Sequence, residues 1–213
     1  MPTRVKICGL KTEAALEAAL SAGADYVGFV FFPPSPRNLS LDVAKALAER
    51  ARGRAKIVTL MVDPDDALIA TIADAVAPDL LQLHGRESPE RVAQVKARWA
   101  VPAMKAIPVE SPEDAQAAVR YREVADLVLF DARPPADSTR PGGNGAPFDW
   151  RSLLGVEAGL PFVLSGGLTP DNVGEAIRIT GAPIVDVSSG VESRPGEKDP
   201  DLIRRFLRAA KGV

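Results

Sequence analysis

Apolar runs of strand length recur along this chain, and nearly every one is followed by a longer stretch in which apolar residues return at helical spacing. Eight runs rich in β-branched and aromatic residues predict strands at 5–8, 26–31, 56–62, 80–83, 103–107, 127–131, 162–165 and 184–187. Segments rich in Ala, Leu, Glu and Arg predict helices at 12–21, 41–51, 65–76, 89–99, 112–121, 170–179 and 200–210. Thr12 and Ser40 stand where N-caps belong, and proline lies near several helix starts, where its missing N–H costs little. Residues 150–156 read as a turn or two only. Strands alternating with helices imply a parallel sheet, since right-handed crossovers lay each helix on the sheet's face.

An open doubly wound sheet and a closed barrel both satisfy that order. Eight βα units in 213 residues, evenly spaced and without a second composition zone, favour the α/β barrel: a single (β/α)₈ TIM-barrel domain over residues 1–213. The G-x-G-x-x-G signature of the open sheet is absent after the first strand, where the chain reads Cys8-Gly9-Leu10-Lys11-Thr12. One connection stands apart. Residues 132–149 carry neither helical nor strand period, and a loop of that length in a compact domain is usually functional or disordered. It follows the sixth strand, on the face where barrel active sites lie, and is expected to act as a lid.

Composition removes several function classes. The hydrophobic fraction of 46% and charged fraction of 25% are those of an ordinary globular domain. A formal net charge of −2 without a basic stripe argues against nucleic-acid binding. The longest apolar runs, such as 26–32, are far below the roughly 20 residues of a membrane span. Met1-Pro2-Thr3-Arg4 leads directly into a strand, with no apolar signal-peptide core, so a cytoplasmic location is expected. A single cysteine, Cys8, allows no intramolecular disulfide, and a single histidine, His84, allows no Cys/His metal cluster. Carboxylates do not group either, so no metal is expected.

Candidate chemistry gathers at strand C-termini. Cys8 ends the first strand and reads either as a packed thiol or as a base, the latter requiring nearby positive charge. Lys6, two residues back on the same face, could supply that charge or pair with a buried carboxylate. Asp131 ends the sixth strand and either caps a turn or serves as a general acid, which requires its carboxyl to be held neutral. Ser165-Gly166-Gly167 after the seventh strand and Ser188-Ser189-Gly190 after the eighth read either as tight turns or as a phosphate site. That site recurs at these two loops in barrels, where small residues and helix N-termini admit an anion. Asp186 lies just before them. Arg37, on the proline-rich loop after strand two, could clamp a carboxylate bidentately or lie on the surface. His84 is expected to line the pocket rather than act as the base. Lys105 is expected within strand five, facing the barrel interior.

Lys6-Ile7-Cys8-Gly9-Leu10, Gly28-Phe29-Val30-Phe31, Ser35-Pro36-Arg37 and Gln82-Leu83-His84-Gly85 resemble the signature stretches of the phosphoribosylanthranilate isomerases. So do Pro141-Gly142-Gly143-Asn144-Gly145, Phe148-Asp149-Trp150, Leu164-Ser165-Gly166-Gly167-Leu168, and Asp186 through Glu192. The resemblance runs from first strand to last helix. It implies an Amadori rearrangement of an aminoaldose phosphate in tryptophan biosynthesis, without a cofactor, acting on a small phosphorylated substrate in a monomer or homodimer. It implies Cys8 as general base, Asp131 as general acid, Arg37 at the anthranilate carboxylate, and phosphate on the backbone around Gly166, Gly167, Ser189 and Gly190. Both catalysts would then have displaced pKa values, the thiol toward thiolate and the carboxyl toward neutral. The histidine-pathway isomerase performs the same chemistry but places an aspartate after strand one, where this chain has Cys8. A non-catalytic phosphate-binding barrel would keep the glycine-rich loops and lack the acid and base.

Overall fold

Eight parallel strands close into a barrel in strict chain order: β1 (Arg4–Cys8), β2 (Tyr26–Phe31), β3 (Lys56–Met61), β4 (Leu80–Leu83), β5 (Ala103–Val109), β6 (Leu127–Ala132), β7 (Phe162–Leu164) and β8 (Ile184–Val187). The computed structural model describes residues 2–134, 141–142, 148–156 and 159–212. Helices α1 (Glu13–Ser21), α2 (Leu41–Ala51), α3 (Asp66–Val76), α4 (Pro89–Trp99), α5 (Pro112–Gln116), α6 (Val173–Thr180) and α7 (Pro200–Lys211) surround it. The seam is closed by β1 against β8, with Lys6 in register with Asp186. No described helix is long and apolar enough to cross a membrane.

The strands sit where the apolar runs predict them because every one is buried on both faces, which continuous apolar runs satisfy and alternating ones do not. Outward residues such as Ile7, Val27, Leu81 and Val185 meet the helices in one large core. Inward residues Tyr26, Val58, Leu80, Met104, Ala106, Leu129, Val163 and Ile184 fill the barrel. The helices start at side-chain caps: Thr12, Ser40, Asp65 and Ser88 each accept the backbone N–H three residues on. Three aspartates that precede even-numbered strands clamp their odd-numbered neighbours. Asp25, Asp79 and Asp126 accept the amides of Val5, Ile57 and Ala103 at 2.8, 2.7 and 2.9 Å.

The structure departs from the sequence reading at four places. The helix expected over 170–179 begins only at Val173. Asn172 accepts the Thr169 N–H at 2.7 Å and donates to the Gly167 carbonyl at 3.0 Å, holding 169–172 in a turn. The expected helix at 112–121 changes after Gln116 into a 3₁₀ segment, Ala117–Tyr121. A 3₁₀ turn, Ser189–Val191, and a small hairpin, β9 (Glu192–Arg194) with β10 (Glu197–Lys198), follow β8 and were not anticipated. Lys105 faces outward, between the inward Met104 and Ala106, because its ammonium finds a full set of acceptors there. It pairs with Glu87 at 2.9 Å and donates to the Gly85 carbonyl at 2.7 Å. Glu87 in turn accepts the amides of Asp63 and Gly85, so the loop after β4 is built on one buried ion pair.

Removing one partner of such a pair strands the other charge. Lys105→Met should lower the stability by about 3–5 kcal/mol, read as a lower urea midpoint at unchanged slope. A loss below about 1 kcal/mol, the range of an exposed pair, would mean that Glu87 is satisfied by amides alone.

Candidate active site

The inward side chains change character near the strand C-termini. Above the apolar filling stand Lys6 and Cys8 of β1, Gln82 of β4 with His84 just after it, Asp131 of β6, Ser165 after β7 and Asp186 of β8. All of them are buried. Cys8, Gln82, His84, Asp131, Ser165 and Asp186 line an open cleft of about 800 Å³, joined by Arg37, Gly166, Gly167, Ser188 and Ser189. Of the thirteen candidates named from the sequence, ten therefore line the cleft, while Lys6 pairs with one of them, Asp186, and Lys105 faces outward. Gly190 packs behind the cleft, where a Cβ would run into the Leu168 carbonyl.

Cys8 is placed by the absence of a side chain next to it. A Cβ on Gly28 of β2 would lie 3.0 Å from the Cys8 Sγ and 3.3 Å from the Lys6 Cε, so glycine there lets the thiol and the lysine stem share one recess. Lys6 bonds Asp186 at 2.9 Å, and Ser165 donates to the other Asp186 oxygen at 3.2 Å. Burial works against the Lys6 ammonium, but Asp186 and Cys8 outweigh it and raise Lys6 above its usual value. The expected drift of Cys8 toward thiolate is not what this recess favours. Burial pushes the thiol up, Lys6 opposes this, and the Asp186 charge adds to the rise. Burial is the larger effect, which is why the pull of Lys6 on Cys8 falls short.

Asp131 accepts its neighbour's N–H, from Ala132, at 3.0 Å, and its other oxygen lies 3.2 Å from His84 Nε2. Gln82 Nε2 stands 2.8 Å from His84 Nδ1, fixing the ring from behind. Gln82 was not singled out as a site residue, although its i, i+2 spacing from His84 places both on one strand face. Pro141 and Gly142 also line the cleft. A Cβ on Gly142 would come within 2.6 Å of Asp131 and 2.5 Å of His84, so that backbone lies directly over their contact. Residues 135–140 and 143–147, on which the expected lid depends, lie outside the described residues.

The two small-residue junctions are turns of a kind that glycine permits. Gly166 and Gly167 have φ of 85° and 65°, successive left-handed residues that bring backbone close to Asp131 and Ala132. Arg37 does not lie on the surface; it is buried at the cleft. Its bidentate fork, expected for a ligand carboxylate, is turned to Glu192, with Nε and Nη2 at 2.7 and 2.8 Å from the two oxygens. Glu192 and Lys198, whose side chains are buried behind Arg37, were missed as supports of the site. Glu192 closes a quoted motif, whereas nothing in the local pattern marks Lys198.

A family model for N-(5'-phosphoribosyl)anthranilate (PRA) isomerase matches residues 5–209. An N-(5'-phosphoribosyl)anthranilate isomerase of Rhodopseudomonas palustris (strain BisA53) is 59% identical over 213 residues, covering 100% of this chain and 98% of the relative. The crystal structure of phosphoribosyl anthranilate isomerase from Thermotoga maritima superposes with a TM-score of 0.89 at 36% identity, over 99% of this chain and 100% of that one. A structure of such an isomerase in complex with reduced 1-(o-carboxyphenylamino)-1-deoxyribulose 5-phosphate gives 0.86 at 35% identity, again over 99% and 100%.

A thiol held above its usual range reacts slowly near neutrality, because the thiolate is the nucleophile. Iodoacetamide should alkylate Cys8 at pH 7.5 at least about tenfold more slowly than a free cysteine of pKa about 8.5, and faster as the pH rises past 9. Rapid neutral alkylation would show that Lys6 outweighs burial after all.

Proposed function

The chain belongs to the N-(5'-phosphoribosyl)anthranilate isomerase family and isomerises that aminoaldose phosphate in tryptophan biosynthesis; we propose that it does so with Cys8 as general base and Asp131 as general acid. The observation that carries this reading is that both residues face one cleft from β1 and β6, with the glycine and serine junctions of β7 and β8 between them. A substrate whose phosphate sits on those junctions has its sugar within reach of both. The whole chain acts as one domain in this reading, in the cytoplasm.

Asp131 gives a proton to the ribose ring oxygen as the C1′–O bond breaks. The anthranilate nitrogen lone pair forms the C1′=N bond of a cationic Schiff base. Cys8 then takes the C2′ proton, and the electrons of that C–H bond form C1′=C2′ and neutralise the nitrogen. The enolamine tautomerises to 1-(2-carboxyphenylamino)-1-deoxyribulose 5-phosphate. No cofactor is required, since the substrate's own nitrogen is the electron sink. The buried thiol becomes a competent base only beside that cation, because an opposite charge within a few ångströms favours the ionised form. His84, braced by Gln82, holds Asp131 in place. Gly166, Gly167, Ser188, Ser189 and Gly190 form the phosphate cradle, and Asp186 sets the charge on Lys6. Arg37, anchored on Glu192, contributes positive charge at the end of the cleft that receives the anthranilate carboxylate.

Turnover of freshly made phosphoribosylanthranilate, followed by fluorescence, tests the roles. Wild type should be active, and Cys8→Ser and Asp131→Asn should each lose at least about a hundredfold in kcat, the contribution of a positioned acid or base. Activity in either variant within a few fold of wild type would remove that residue from its role.

A further inference from the structure

Glu192 is shared by two buried cations. Arg37 reaches it from the loop after β2, and Lys198 reaches it from β10, with side-chain exposures of 5% and 1%. Glu192 also accepts the Gly196 N–H at 3.1 Å, and a Cβ on Gly196 would press within 2.7 Å of the Pro36 carbonyl, so the hairpin is seated on the β2 loop. Lys198 does more than neutralise. Its ammonium donates to the Ser188 carbonyl at 2.9 Å and contacts the Ser188 hydroxyl at 3.2 Å. That hydroxyl donates to the Cys8 carbonyl at 3.2 Å. One ammonium thus joins the loop after β8, the end of β1 and, through Glu192, the loop after β2.

We propose that Lys198 is a positioning residue for the substrate phosphate, holding Ser188 and the turn that follows it in the anion-binding conformation and adding its own charge behind that turn. This deepens the proposed function and rests on its placement of the phosphate at the β7 and β8 loops. A lysine satisfied only structurally could be replaced by any residue that fills the space. A lysine that acts through charge makes phosphate affinity follow its own protonation. Burial lowers Lys198 to about 8, against the pull of Glu192, which Arg37 already engages. The sign follows directly: the charged form favours the dianion, so affinity is full below that value and falls as the pH rises through it. The other groups facing Lys198 are the Arg37 guanidinium and Glu192, the latter held below its usual value by Arg37 and Lys198 in spite of burial. Cys8 lies on its remaining side and would add negative charge at high pH, so a Cys8→Ser background isolates the lysine.

The test is calorimetric binding of ribose 5-phosphate between pH 7 and 9.5, where a phosphomonoester with second pKa of about 6 stays a dianion. Affinity in wild type and in Cys8→Ser should fall about tenfold across this range, the scale of one partly screened charge. Lys198→Met should be about tenfold weaker already at pH 7 and flat thereafter, while Lys198→Arg recovers affinity and is also flat. With phosphoribosylanthranilate, Lys198→Met should raise KM and leave kcat within about threefold, as expected for lost uniform binding. Wild-type affinity at pH 7 in Lys198→Met, or a fall in kcat at constant KM, overturns the inference. Should that variant not fold, a flat profile in Cys8→Ser overturns it alone. Brisk wild-type turnover with affinity indifferent to Lys198 sinks the inference and spares the reaction; absent turnover with the predicted binding profile sinks the reaction instead.

Discussion

The Lys6–Asp186 ion pair crosses the seam where β8 meets β1, and both the closure of the barrel and the electrostatics of the cleft pass through it. Two opposite charges almost wholly removed from water pay a large desolvation cost. That cost is recovered only when geometry is close and the remaining valences are filled. Here the distance is 2.9 Å and Ser165 fills the second carboxylate oxygen. A slip of one residue in the register of β8 on β1 would turn one partner toward the helices and leave the other unpaired, so the pair specifies the closure as well as tolerating it. Burial above all, with the Asp186 charge adding to it, explains why Cys8 rests as a thiol. Lys6 is close enough to steady a thiolate, and its pull falls short of the cost of burial. In the proposed reaction the base is therefore kept in reserve until a cation arrives in the cleft, which suits a carbon acid that becomes acidic only after the Schiff base has formed.

A second ionic group, Arg37–Glu192–Lys198, works at the rim as the first works in the interior. The end of β1 and the loops after β2 and β8 meet at this rim and have to be held relative to one another. One carboxylate accepting from two side-chain cations and a backbone amide does that work. On the far side of the cleft, Lys105–Glu87 does the same for the loops after β3 and β4, through the amides of Asp63 and Gly85. Each rim cluster lies just outside a reacting group, behind Cys8 in one case and behind His84 in the other. The loops that carry function are thereby ordered by buried charge rather than by apolar packing.

The eight strands were legible because burial on both faces forces continuous apolar runs, a signal that survives in a single sequence. Cys8, Asp131 and the two glycine junctions were legible because strand order in a closed barrel fixes which chain positions share a face. What failed to be legible depends on partners distant in sequence. Lys105 was expected within strand five, facing the barrel interior; its outward direction is met by Glu87, which only the folded β4 loop brings close. Arg37 was read with a choice of solvent or ligand, and the third option, a carboxylate 155 residues away, could not be weighed from local pattern. The start of α6 was misplaced because a proline at a helix start and Asn172 folded back on its own loop look alike until the Gly167 carbonyl is in place. The direction of the Cys8 shift needed the balance of burial against Lys6 and Asp186, and sequence supplied only the attractive member of that balance.

The order of strands around the barrel carries the last step. The proposed acid and base stand on β6 and β1, separated by the two strands whose loops are built of glycine and serine, so in the proposed reaction a phosphate on those loops sets the position of the sugar relative to both. The constraint is backbone geometry on one side and charge on the other. Gly166 and Gly167 adopt left-handed conformations that a side chain resists, and Gly190 has no room for a Cβ against Leu168. Such a cradle is stiff because its backbone has few alternatives, whereas the Ser188 turn is stiff because Lys198 holds its carbonyl. In the proposed anion site one half is therefore set by backbone alone and the other half is held by one buried lysine. The charge on Lys198 then bears, in the proposed reaction, on how well the sugar is presented and not on the proton transfers themselves.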